Sequence, residues 1–206
     1  MKQFIRITLA AAAFAVAAPS ALAVVMDFED LPPTGPDSSY FTTPYQFLSF
    51  GNLDAATNDW GWNSSLPFPY TPASGVTAVA TDPALYPSGL PTDESSKVTS
   101  AVDFYLTGAY FAGFPQDINN NPATVQFKLY NDNALVFTSA PLVVDGTAKF
   151  LDTFYAAPID AFSVVGSQGY WVMDDVVATP VPEASTYALM VVGLAGLAAA
   201  VRRRRV

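Results

Sequence analysis

Between residues 24 and 180 the chain never runs far without a turn former, and this sets its fold class. Seventeen prolines stand in 206 residues. Proline is at home in turns and at strand edges and breaks helix interiors. The apolar residues between these breaks recur at intervals of two. Over residues 124–130, Val125, Phe127 and Leu129 fall on one side and Thr124, Gln126, Lys128 and Tyr130 on the other, the pattern of a half-buried strand. Asn131, Asp132 and Asn133 supply a turn, and residues 134–139 read as the returning strand of a hairpin. Residues 101–107 place Val102, Phe104 and Leu106 on one face. Residues 142–144, 147–154, 161–165 and 170–178 read as further strands, with Asp145-Gly146 as a turn. Residues 51–97 are the least regular and predict long loops between short strands. Short strands at this spacing predict an all-β domain over residues 24–178, an antiparallel β-sandwich or jelly roll.

The composition removes several chemistries. The chain has no cysteine and no histidine, which excludes disulfides, Cys/His zinc sites, Cys–His nucleophiles and the Ser-His-Asp triad. Residues 24–180 hold three basic residues (Lys97, Lys128, Lys149) against seventeen acidic ones, a net charge of −14. Such a domain repels polyanions, so nucleic acid is not an expected partner. Catalysis would need paired carboxylates, as in glycosidases, or a Ser–Lys pair. The only glutamates of this stretch are Glu29 and Glu94, and Ser95, Ser96 and Lys97 stand in no recognisable Ser–Lys framework. The expectation is a protein that is not an enzyme.

The two ends read as addresses. Lys2 and Arg6 precede an apolar stretch over residues 7–18, Pro19 breaks it, and Ala21-Leu22-Ala23 is an A-x-A cleavage pattern. Residues 1–23 therefore read as a signal peptide, which implies the Sec translocon and signal peptidase as partners and a mature chain from Val24. At the other end, a short polar, proline-bearing segment over residues 181–185 precedes an apolar run over residues 187–201, closed by Arg202, Arg203, Arg204 and Arg205. Fifteen helical residues span roughly 22 Å, short of the roughly 30 Å hydrocarbon core. With flanking residues and snorkelling arginines a single transmembrane helix is expected, its arginines on the inside.

The string VPEASTYALMVVGLAGLAAAVRRRRV resembles the PEP-CTERM sorting signal of exported proteins in Gram-negative bacteria. That signal joins a Pro-Glu-Pro tripeptide, a short transmembrane helix and an arginine cluster. Val181, Pro182, Glu183 and Ala184 occupy the tripeptide region, with Ala184 in place of the second proline. The resemblance implies recognition by exosortase in the inner membrane, cleavage near the tripeptide, and transfer to the cell surface or extracellular matrix. It makes residues 179–206 the sorting signal. It also implies a surface or matrix role, structural or in exopolysaccharide binding within a biofilm. The rival readings are a secreted carbohydrate-active enzyme with paired carboxylates, and a domain anchored permanently at the periplasmic face.

Three groups are candidate sites. Asp27 and Glu29 near the start of the domain, and Asp174 and Asp175 near its end, resemble the paired ends of other PEP-CTERM proteins and of carbohydrate-binding jelly rolls. There, acidic residues on adjoining first and last strands hold a structural calcium (Ca2+). Calcium takes six to eight oxygens, and the alternative is a set of solvated acids at strand ends. Trp60 and Trp62, with Tyr70, lie among asparagine and aspartate. Flat aromatic faces beside amide and carboxylate groups suit a glycan, although large aromatics are more often buried. Residues 116–121, with three consecutive asparagines, read as a cation loop or a plain turn.

Overall fold

The computed structural model describes residues 22–31, 44–50, 53–57, 73–75, 77–81, 97–113, 121–167, 171–182 and 192–195. The chain divides into two compact units, one spanning Ala21–Glu183 and one made of Met1–Ser20 and Ala184–Val206. In the second, residues 192–195 are helical and exposed. No helix among the described residues is long and apolar enough to cross a membrane, and the rest of the apolar run over residues 187–201 lies outside them.

The first unit is built of eleven described strands: β1 (Val24–Met26), β2 (Leu48–Ser49), β3 (Leu53–Thr57), β4 (Thr77–Thr81), β5 (Val98–Gly113), β6 (Thr124–Asn131), β7 (Ala134–Thr138), β8 (Leu142–Val143), β9 (Lys149–Asp152), β10 (Ile159–Gly166) and β11 (Trp171–Pro180). One hydrogen-bonded network runs β3-β4-β11-β5-β10-β6-β7, with β1 on β11, β2 and β9 on β5, and β8 on β6. Every pairing is antiparallel. The all-β expectation therefore holds. The least regular stretch does contain two short strands, β3 and β4.

The sixteen-residue β5 organises the sheet by serving two sets of neighbours. Its first half pairs with β10 and β2, its second half with β11 and β9, and Phe104 at the join faces both Ile159 and Pro180. Gly108 opposes Asp152. A Cβ there would strike the Leu151 carbonyl oxygen, so only glycine lets β9 come this close.

Aromatic rings fill the core. Phe111 meets Phe127 at 5.3 Å and Trp171 at 5.9 Å, and Phe162 meets Phe127 at 5.5 Å and Phe104 at 6.3 Å, all edge-on. Phe111 and Phe127 lie on β5 and β6, which do not pair. Their contact is made through side chains across the core, where edge-on pairs contribute about 0.5–1.5 kcal/mol beyond area burial.

Val125, Phe127 and Leu129 are buried together, as the alternation requires. Tyr130, assigned by alternation to the outer side, is buried as well. The β6–β7 register slips between Leu129 and Tyr130, and such an irregularity re-aims a side chain. The Tyr130 ring then takes the Lys97 ammonium 4.7 Å from its centroid. The predicted strand over residues 147–154 is shorter, because Phe154 adopts φ +52° just beyond β9 and leaves its ring 87% exposed.

Candidate functional site

The first and last strands lie side by side, with Val24 opposite Ala178, Val25 opposite Val177 and Met26 opposite Val176. This brings the acidic ends of the domain to one region. Just upstream β11 is irregular: its register on β5 slips after Asp174, and Asp175 takes φ +45°. The irregularity lets two successive aspartates reach one target.

That target is the segment 73–75. One carboxylate oxygen of Asp174, Oδ2, accepts hydrogen bonds from the Ala73 and Ser74 amides, each at 2.9 Å. Its Oδ1 accepts the Asp175 amide at 2.8 Å. The Ser74 hydroxyl donates to Asp175 Oδ1 at 2.9 Å. Gly75, at φ +40°, sits directly against the Glu29 carboxyl group. Asp27 Oδ1 accepts the Glu29 amide at 3.4 Å.

Asp174 is only 2% exposed. Burial pushes its carboxyl up to about 6, while the amide donors of Ser74, Asp175 and Ala73 oppose the rise and the Asp175 charge adds to it. Nearby, Tyr45 donates to Asp30, and burial together with that carboxylate pushes its hydroxyl well above the usual phenol range.

Glu29, Asp174 and Asp175 thus contact segment 73–75 directly, and Asp27 meets it only through the Glu29 amide. Calcium takes six to eight oxygens. Both oxygens of Asp174 face amide donors, and no three acidic groups among the described residues stand close enough together to hold a metal ion. Trp60, Trp62 and Tyr70 lie outside the described residues, as do residues 116–120 of the asparagine loop.

The second region is the exit of β11. Its last residues run along β5, with Ala178 opposite Leu106, Thr179 opposite Tyr105 and Pro180 opposite Phe104. The ladder goes one step further: the Val181 amide donates to the Asp103 carbonyl at 2.7 Å. Val181 and Pro182 are half-buried. On the other side of β11 the described pairing with β1 stops at Val24. Leu22 is 80% exposed beyond that pairing, and Ala23 is exposed too. Ala21, Glu183, Ala184 and Arg202 to Arg205 lie outside the described residues.

An antiparallel β body therefore begins its first strand directly after an A-x-A pattern. Its last strand runs without a break into Val181-Pro182. Residues 180–205 match the family model of the PEP-CTERM protein-sorting motif. The chain carries this motif, which marks an exported protein targeted by exosortase and processed at the membrane on its way to the cell surface. Neither the curated proteins nor the solved structures contain a match.

Three participants escape sequence reasoning. Ser74 and Gly75 are separated from Asp174 by about a hundred residues, and nothing in their spacing pairs them. Asp103 takes part through its backbone carbonyl, which its side-chain identity does not signal.

Proposed function

We propose that this protein is a non-enzymatic component of the cell surface or extracellular matrix, structural or bound to exopolysaccharide in a biofilm. The observation that carries the reading is the sorting motif at residues 180–205, continuous with the last strand of an antiparallel β body. The Sec translocon exports the chain, and signal peptidase releases Val24 as the new N-terminus. The apolar run over residues 187–201 holds the chain briefly in the inner membrane, with Arg202 to Arg205 inside. Exosortase cuts near Pro182-Glu183, and the acidic body leaves as a β-sandwich. The lack of histidine and cysteine supports a role without catalysis. Trp60, Trp62 and Tyr70 are the residues we assign to glycan contact, from their chemistry alone.

The test is the intact mass of the protein recovered from its native host. A species running from Val24 to near Pro182 or Glu183 is expected, and Pro182→Ala with Glu183→Ala together should abolish it. A mass that keeps Arg202 to Arg205 in the wild type sinks the proposal in favour of a permanently anchored domain. Extra mass on the new C-terminus identifies what the body is attached to.

A further inference from the structure

We propose that the body itself gates its own processing: residues 179–182 are held on β5 and must peel away before the sorting enzyme can act. The proposal rests on the processing reading above. It begins from the last steps of the ladder, where Thr179 faces Tyr105, Pro180 faces Phe104, and the Val181 amide donates to the Asp103 carbonyl at 2.7 Å. A proteolytic enzyme holds its substrate as an extended strand through the same backbone groups that a sheet neighbour uses. The Val181 amide is already engaged, and Val181 and Pro182 are half-buried.

The stretch between Pro182 and the apolar run is short. Four residues, 183–186, separate Pro182 from the apolar run that starts at Tyr187. Fully extended, four residues reach at most about 14 Å. An enzyme needing residues on both sides of the scissile bond finds only four residues there, and the remainder has to come from the strand.

The strand is built to yield at this point and not before it. Through Ala178, β11 lies between β5 and β1. Beyond Ala178, only β5 pairs with it among the described residues. Pro180 and Pro182 have no amide hydrogen to give to any neighbour. The last residues can fray while β11 keeps both its neighbours, as the low-stability ends of folded units do.

A reversible lock tests this. The chain has no cysteine, so a pair of new cysteines has no competing partner. Thr179→Cys with Tyr105→Cys joins directly opposed residues, whose Cα separation of about 4.5–5.5 Å suits a disulfide. Lys128→Cys with Thr138→Cys makes the same kind of lock on β6 and β7, away from the exit. Processing is followed by the loss of the tail from exported protein in the native host, with and without reductant. The expected result is that the 105–179 lock slows processing about tenfold or more, that reductant restores it, and that the 128–138 lock has no effect. Wild-type processing of the oxidised 105–179 protein overturns the gate. Processing blocked equally by both locks, or still blocked after reduction, also overturns it, because the effect then comes from the body at large. A wild-type protein that keeps its arginines overturns the processing reading itself, a different result from any of these.

Discussion

Val24 stands opposite Ala178, so the first residue after the A-x-A pattern pairs with a residue four positions before Pro182 of the sorting motif. The two ends of the body lie on neighbouring antiparallel strands. The pairing is short, three residues on β1, but Met26 is buried in the core and Phe28 packs on Phe50 at 5.4 Å just beyond. Replacing Phe28 with alanine should cost about 3–5 kcal/mol, the usual loss for a buried phenylalanine. Urea unfolding of the mature protein measures it, and a loss under 1 kcal/mol would mean that β1 contributes little to the body.

Asp174 should give stability an unusual dependence on pH. Its carboxyl is raised to about 6 in the folded protein from an ordinary value of 3.8. Between these values the folded state binds the proton more tightly than the unfolded chain does. Its contribution is therefore full below about pH 4, declines as pH rises toward 6, and is flat above. Asp174→Asn keeps an acceptor for the Ala73 and Ser74 amides but cannot titrate. Subtracting the variant's thermal midpoint from that of the wild type should give a difference that falls between pH 4 and 6. A difference that stays level across that window refutes the assignment.

Gly75 tests the contact between the two ends of the domain and segment 73–75. Its φ of +40° and its closeness to Glu29 both oppose a side chain. Gly75→Ala should destabilise the body by about 1–3 kcal/mol. In a Glu29→Ala background the steric part should disappear and the backbone part remain. Equal losses in the two backgrounds would show that the carboxyl group simply moves aside.

Gly108→Ala meets a less forgiving neighbour, since the obstacle is the Leu151 backbone and not the end of a side chain. A loss of about 1–3 kcal/mol is expected from overpacking. Hydrogen exchange should report it as lost protection on β9 before the rest of the sheet.

Phe154 should respond in the opposite direction. It holds φ +52° with its ring 87% exposed, so little burial is at stake. The left-handed conformation costs an L-residue about 1–2 kcal/mol, and glycine gives back part of that gain through its freer unfolded chain. Phe154→Gly should therefore stabilise the protein by about 0.5–1 kcal/mol in thermal unfolding. Destabilisation would mean that the ring makes a contact of its own.

Much of this molecule is legible locally. The alternation over residues 124–130 and the Asn-Asp-Asn turn specify β6, β7 and the hairpin between them. The sorting motif at residues 180–205 is contiguous in sequence, and for that reason recognisable without a fold. Both are short-range signals, because side-chain period and turn chemistry depend on residues only a few positions apart. Partner choice is not of that kind. No local pattern says that β5 divides its length between two sets of strands, or that a register slip turns Tyr130 inward. The same holds for Asp174, which meets the Ala73 and Ser74 amides across about a hundred residues. Those decisions are made when distant strands compete to bury one shared core and to satisfy each buried polar group. The sequence alone thus determined an antiparallel β body that leads into a sorting motif. Only the tertiary structure decided that its carboxylates secure segment 73–75, and that the sorting motif begins while the chain is still paired to β5.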